Sequence, residues 1–131
     1  GGNRVPTKQR GNLHSLWDQL LGDRFSTSGV RRRINEIESD KDIQILLKQA
    51  TDSAEDLDPR TWLAESRKLA IERIYTPEVL DSLRLVSRGL LEKPEPIDLS
   101  ETYLKSAGRT AQQRAAQAAA RLAEIWRRAL N

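Results

Sequence analysis

The chain has 131 residues, 37% hydrophobic and 31% charged, with a formal net charge of +3 and no cysteine. That length suits one domain with one core, the charge is too balanced to identify a polyanionic ligand, and zero cysteine excludes disulfides and thiolate metal sites. No run of about 18 apolar residues exists to span a bilayer; the closest stretch, Ala115 to Ala123, is broken by Gln117 and Arg121.

Residues 1–11 hold three Gly and a Pro without helical period and are expected to be loop, with a short extended piece at Arg4–Thr7. Asn12 is suited to cap a first helix running to Leu21 and closed by Gly22, with Leu13, Leu16, Trp17 and Leu20 on one buried face. Ser28 is expected to cap a second helix with Val30, Ile34 and Ile37 inward and Arg31, Arg32 and Arg33 mostly in solvent. A third helix is expected from Asp42 to Ala50, with Ile43, Leu46 and Leu47 inward, then a polar loop from Thr51 to Leu57.

Asp58-Pro59 is a strong helix start, a capping carboxylate followed by proline at the first helical position. Trp62, Leu63, Ser66, Leu69, Ala70, Ile71 and Ile74 follow at helical spacing. Thr76-Pro77-Glu78 repeats the signal, so one helix ends near Tyr75 and another runs to about Leu91. Lys93-Pro94-Glu95-Pro96 makes a stiff connector near 92–99. Ser100 then caps a last helix reaching Leu130, with an inward stripe of Leu104, Ala107, Ala111, Ala115, Ala118 or Ala119, Leu122, Ile125 and Trp126. The expected fold class is all-α, with about six helices.

The one histidine, His14, precedes Asp18 by four residues on the first helix. An i, i+4 pair shares one side of a helix, and imidazole and carboxylate are both zinc ligands. By spacing alone the pair reads first as a helix ion pair or hydrogen bond, with metal ligation the minority alternative. Catalytic zinc usually takes three protein ligands, and no second histidine is present.

The run Asn12-Leu13-His14-Ser15-Leu16-Trp17-Asp18, preceded by Gly1-Gly2-Asn3, resembles a signature of the single-strand-specific zinc nucleases of the mung bean nuclease type, which share a fold with zinc-dependent phospholipase C. Trp62 with Glu65-Ser66 and Leu69-Ala70, then Tyr75-Thr76-Pro77, and a tail of Leu99-Ser100, Tyr103 and Ala119-Arg121-Leu122-Ala123 extend the resemblance along the chain. It implies a single partial domain, the C-terminal half of the zinc phospholipase C/nuclease-type helical fold. It also implies that His14 and Asp18 ligate one of three zinc ions, while Leu13 and Trp17 hold their helix to the core.

The implied reaction is metal-assisted hydrolysis of phosphodiesters in single-stranded DNA or RNA to 5'-nucleotides, with this chain serving the zinc that stabilises the leaving oxygen. The remaining ligands would lie in an N-terminal half, the chain's expected partner. The resemblance further implies a secreted or periplasmic protein, of which this chain is a nicked, excised or truncated piece, inactive alone. Gln19-Leu20-Leu21 matches no base-binding pattern. The alternatives are a phospholipase C-like zinc hydrolase and a non-catalytic helical interaction domain. Nucleic-acid binding through Arg31–Arg33 and arginines 121, 127 and 128 is disfavoured, because Glu36, Glu38 and Glu124 lie nearby.

Overall fold

A computed structural model describes residues 2–22 and 26–131, with the side chains of all of these but Arg33 and Ile37. Gly1 and the expected burial of Ile37 therefore lie outside the described residues. The chain is all-α. A 3-10 turn at Gly2–Arg4 precedes α1 (Leu13–Asp18), α2 (Thr27–Ser39), α3 (Lys41–Asp52) and α4 (Pro59–Leu69). A π turn at Ala70–Ile74 continues α4, followed by α5 (Pro77–Ser87) and α6 (Glu101–Leu130). Among the described residues the only extended pairing is one parallel bridge, Thr7 with Ile97. It pins the N-terminal loop to the proline connector, Ile97 donating to Pro6 and Lys8 to Ile97 (both 3.0 Å).

Most helix starts obey their capping chemistry. Asn12, Asp58 and Ser100 each turn a side-chain oxygen onto a backbone N–H of the first turn, and such a cap contributes about 1 kcal/mol. The cap of α2 is Ser26, not Ser28: its Oγ accepts from Gly29 N at 3.1 Å. In a Ser-Thr-Ser run, only Ser26 stands three residues before an N–H that is otherwise unpaired. Asp40 ends α2 and caps α3, so these two helices meet at a single residue. The last turn of α3 reaches Asp52, into the expected loop, and Ala54 beyond it is buried.

α5 stops at Ser87, short of Leu91. Gly89 adopts φ +70°, its N–H bonds Val86, and Leu90 N–H bonds Leu85. This is a Schellman closure, in which glycine accepts the left-handed conformation without a Cβ penalty. The expected extended piece at Arg4–Thr7 is likewise replaced, up to Arg4, by the 3-10 turn.

The main core gathers Val5, Leu13, Leu16, Val79, Leu99, Tyr103 and Ala107, joined by Trp17, Leu20, Ile74 and Tyr75. It is centred on the first turns of α6, with α1 and α5 packed around them. Farther along, α3 lies against α6, with Ile43, Ala50 and Ala116 buried. Among the described residues α2 packs chiefly against α3, and Val30 and Ile34 are exposed, contrary to the expected inward stripe. Leu63 and Ile71 are also exposed.

α6 departs furthest from its hydropathy pattern. Leu122, Ile125 and Trp126 face solvent, while Tyr103, Ala107, Thr110, Ala116 and Arg121 are buried. The inward face of its second half is polar because it answers charges on α4. Glu65 Oε1 accepts from Arg121 Nη2 at 2.6 Å and Oε2 from Arg121 Nη1 at 2.9 Å. Arg114 Nη1 adds a third bond to Oε2 at 2.7 Å and its Nη2 reaches Ser66 Oγ at 3.1 Å. The Arg121 guanidinium also lies 5.2 Å from the Trp62 ring centroid, a cation–π contact.

Hydrogen bonding from Arg121, with that from Arg114, holds the Glu65 carboxyl at about 2, from an ordinary 4.5. A depressed carboxyl contributes stability above its unfolded value and loses it as pH falls through its folded one. Glu65→Gln strips a buried arginine of its counter-charge and is expected to cost about 2 kcal/mol at neutral pH in urea unfolding. The gap to the parent should narrow as pH drops from 4.5 towards 2.

Candidate metal centre

α1 is only six residues long, too short to persist in water by itself, so its position depends on what holds it. Asn12 Oδ1 accepts from Ser15 N at 2.8 Å and sets the start of the helix. Leu13 and Leu16 are buried, Leu13 almost completely. Trp17 Nε1 donates to Tyr103 Oη at 3.1 Å, and Tyr103 Oη donates to the carbonyl of Ile74, also at 3.1 Å. The phenol thus ties α1 to α6 and satisfies a carbonyl left open where the π turn ends. Burial in first place pushes the Tyr103 phenol above its ordinary 10.

The Gly-Asn part of the N-terminal turn meets the same helix. Val5 N bonds Gly2 O at 3.1 Å, and Leu13 N bonds Val5 O at 2.8 Å. A Cβ placed on Gly2 would lie 3.1 Å from His14 N and 3.4 Å from His14 Cα and Cβ. Glycine at this point lets the turn close directly onto the backbone of the histidine. Two sequence segments ten residues apart are therefore one local structure.

From this mount, His14 and Asp18 project together. His14 Nε2 lies 3.2 Å from Asp18 Oδ2, with the two side chains 58% and 63% exposed. The pair is accessible from outside and not consumed by the core. Among the described residues no group of three or more His, Cys, Asp or Glu is assembled that could hold a metal ion. As donor types, an imidazole nitrogen and a carboxylate oxygen fit zinc; as a donor set, two is short of the three that a catalytic zinc usually takes from protein.

The arginines of the tail are committed elsewhere. Arg127 and Arg128 both bond Glu124, at 2.6–2.7 Å, and Arg121 is buried on Glu65. Tyr103 and Glu65 organise the structure more than their hydropathy signals. Tyr103 stands three residues after the Ser100 cap, and its N–H is the one that Ser100 Oγ accepts, at 3.1 Å. A phenol in the first turn, beside the apolar stripe, is the signal that its ring points inward.

A family model described as S1/P1 Nuclease matches residues 1–131. Comparisons with curated proteins and with solved structures returned no significant match.

An exposed ion pair contributes about 0–1 kcal/mol. His14→Ala is therefore expected to change unfolding stability by less than about 0.5 kcal/mol, whereas Leu13→Ala, in the core beside it, should cost about 3 kcal/mol. Urea denaturation of both variants checks this. A large loss with His14→Ala would mark the pair as part of the scaffold.

Proposed function

The chain belongs to the S1/P1 nuclease family, and on that premise we propose that it is the C-terminal part of a zinc-dependent nuclease acting on single-stranded nucleic acid. His14 and Asp18 are proposed as two ligands of one zinc ion, and the other donors as residues of a preceding portion of the same protein. The observation that carries the reading is the convergence of His14 Nε2 and Asp18 Oδ2 on the open side of α1, 3.2 Å apart. It falls within the Asn12–Asp18 segment, whose backbone is held by a cap, two buried leucines and the Trp17–Tyr103 bond.

Zinc bound there supplies Lewis-acid stabilisation of negative charge on a phosphoryl or leaving-group oxygen. His14 must offer the lone pair of Nε2, so its remaining proton sits on Nδ1, and Asp18 must be ionised. Without metal the same two atoms face each other, 3.2 Å apart. The short, anchored helix keeps both donors in register at little entropic cost on binding.

The surface supports the proposal that a further portion of protein covers this chain. A compact protein of 14.9 kDa exposes about 7000 Å², whereas this one exposes 9702 Å². Leu122, Ile125, Trp126 and Leu130 all lie in solvent at the end of α6, and Val30, Ile34 and Ile45 on α2 and α3. Apolar patches of this kind mark contact surfaces.

The chain alone is expected not to hydrolyse a fluorescent single-stranded oligonucleotide in the presence of zinc. The complete protein should do so, stop on adding a chelator and recover with zinc. His14→Ala in the complete protein should lower kcat/KM on the order of 100-fold or more. Near-parental activity of that variant would refute the ligand assignment.

A further inference from the structure

Between α4 with its π turn and α6 runs an open groove of about 430 Å³, lined among others by Lys68, Glu72, Arg73, Arg109, Arg114 and Thr110. The two walls are complementary helix faces. Lys68, Leu69, Glu72 and Arg73 recur at i, i+1, i+4, i+5 on one side, and Ser106, Arg109, Thr110 and Gln113 at i, i+3, i+4, i+7 on the other. The helices are braced at both ends, by Glu65 with Arg114 and Arg121, and by Tyr103 on the Ile74 carbonyl.

The charges inside divide into two sets. Glu65 is already neutralised by two arginines. Lys68, Arg73 and Arg109 pair with no side chain among the described residues, and Glu72 is the one remaining carboxylate in the lining. With Arg114 against Glu65, the groove keeps three cations against one anion. Pairing long cations along a helix with available acids is easily achieved on a surface, as Glu124 does for Arg127 and Arg128. In the groove it is not done.

No aromatic side chain lines this groove. It therefore offers no stacking platform for bases, but a track of Lys and Arg donors with Ser106, Thr110 and Gln113 between them. Such a surface contacts phosphates without reading sequence.

We propose that this groove, separate from the His14–Asp18 pair, holds the phosphodiester backbone of a single-stranded nucleic acid through Lys68, Arg73 and Arg109. The inference rests on the nuclease reading for its choice of polyanion, and it adds a base-independent subsite that would keep a strand on the protein while other residues act on it. Three phosphate contacts imply that log K falls with log salt with a slope of about −2, that is, a loss of about 20-fold between about 50 and about 200 mM salt.

The test is fluorescence anisotropy of the chain with a labelled oligothymidylate of about 10 nucleotides, in a chelator so that neither zinc binding nor cleavage contributes. Lys68→Glu/Arg73→Glu/Arg109→Glu is expected to weaken binding by at least about 10-fold and to flatten the salt slope. The triple Gln replacement, which introduces no new charge, should do the same in direction, with circular dichroism verifying that both variants are helical. Arg31→Glu/Arg32→Glu, on α2, should leave affinity unchanged. Absence of binding by the parent, or equal affinity of parent and triple Gln variant, would overturn the proposal. Because chelator is present throughout, that failure would leave the zinc ligands untouched, and failure of zinc-dependent hydrolysis would leave the groove untouched.

Discussion

One buried phenol orders this molecule. Tyr103 accepts from the Trp17 indole and donates to the Ile74 carbonyl, so one oxygen on α6 binds two other stretches of chain. A buried hydroxyl with both its donor and acceptor functions used is stabilising, whereas one left unpaired costs about 1–3 kcal/mol. The arrangement therefore discriminates against any packing in which α1 slides along α6. That matters because α1 is six residues long and carries both ligand-type side chains. Its precision comes from its neighbours and not from its own helix propensity.

Charge performs the same function at the other end of the α4–α6 contact. Removing Arg121 from water is expensive, and it is tolerated because Glu65 meets it with two bonds and Trp62 meets its face. The geometry fixes the rotation of α6 about its axis, since only one face presents Thr110, Arg114, Gln117 and Arg121 together. The consequence is that Leu122, Ile125 and Trp126 are turned outwards. An apolar end of a thirty-residue helix left in solvent, beside a surface larger than the mass requires, is what supports a covering partner.

Local chemistry was legible in the sequence and long-range pairing was not. The caps at Asn12, Asp58 and Ser100, and the proline starts at Pro59 and Pro77, act within one turn and follow from residue type alone. The left-handed Gly89 was equally local, and reading it as the residue after a helix would have ended α5 at the right place. The inward face of α6 could not be obtained that way. Its stripe of alanines and large apolar residues has the right period, but a Glu 49 to 56 residues away decides which face is buried. Likewise, Val30 and Ile34 have helical spacing and no core to face. At the candidate site, the spacing of His14 and Asp18 told that they meet. Only the fold tells that the Gly2 turn closes on the His14 backbone and that the pair stays open to solvent.

The central claim is that α1 presents His14 and Asp18 as joint donors to zinc. Because the chain has a single histidine, two-bond proton–nitrogen correlation spectra report its imidazole without ambiguity. With zinc in excess, His14 Nε2 is predicted to move to a metal-bound shift while Nδ1 keeps its proton, and Asp18→Ala is predicted to abolish or strongly weaken the change. An Nε2 resonance unmoved by zinc, or moved equally in Asp18→Ala, would contradict the claim.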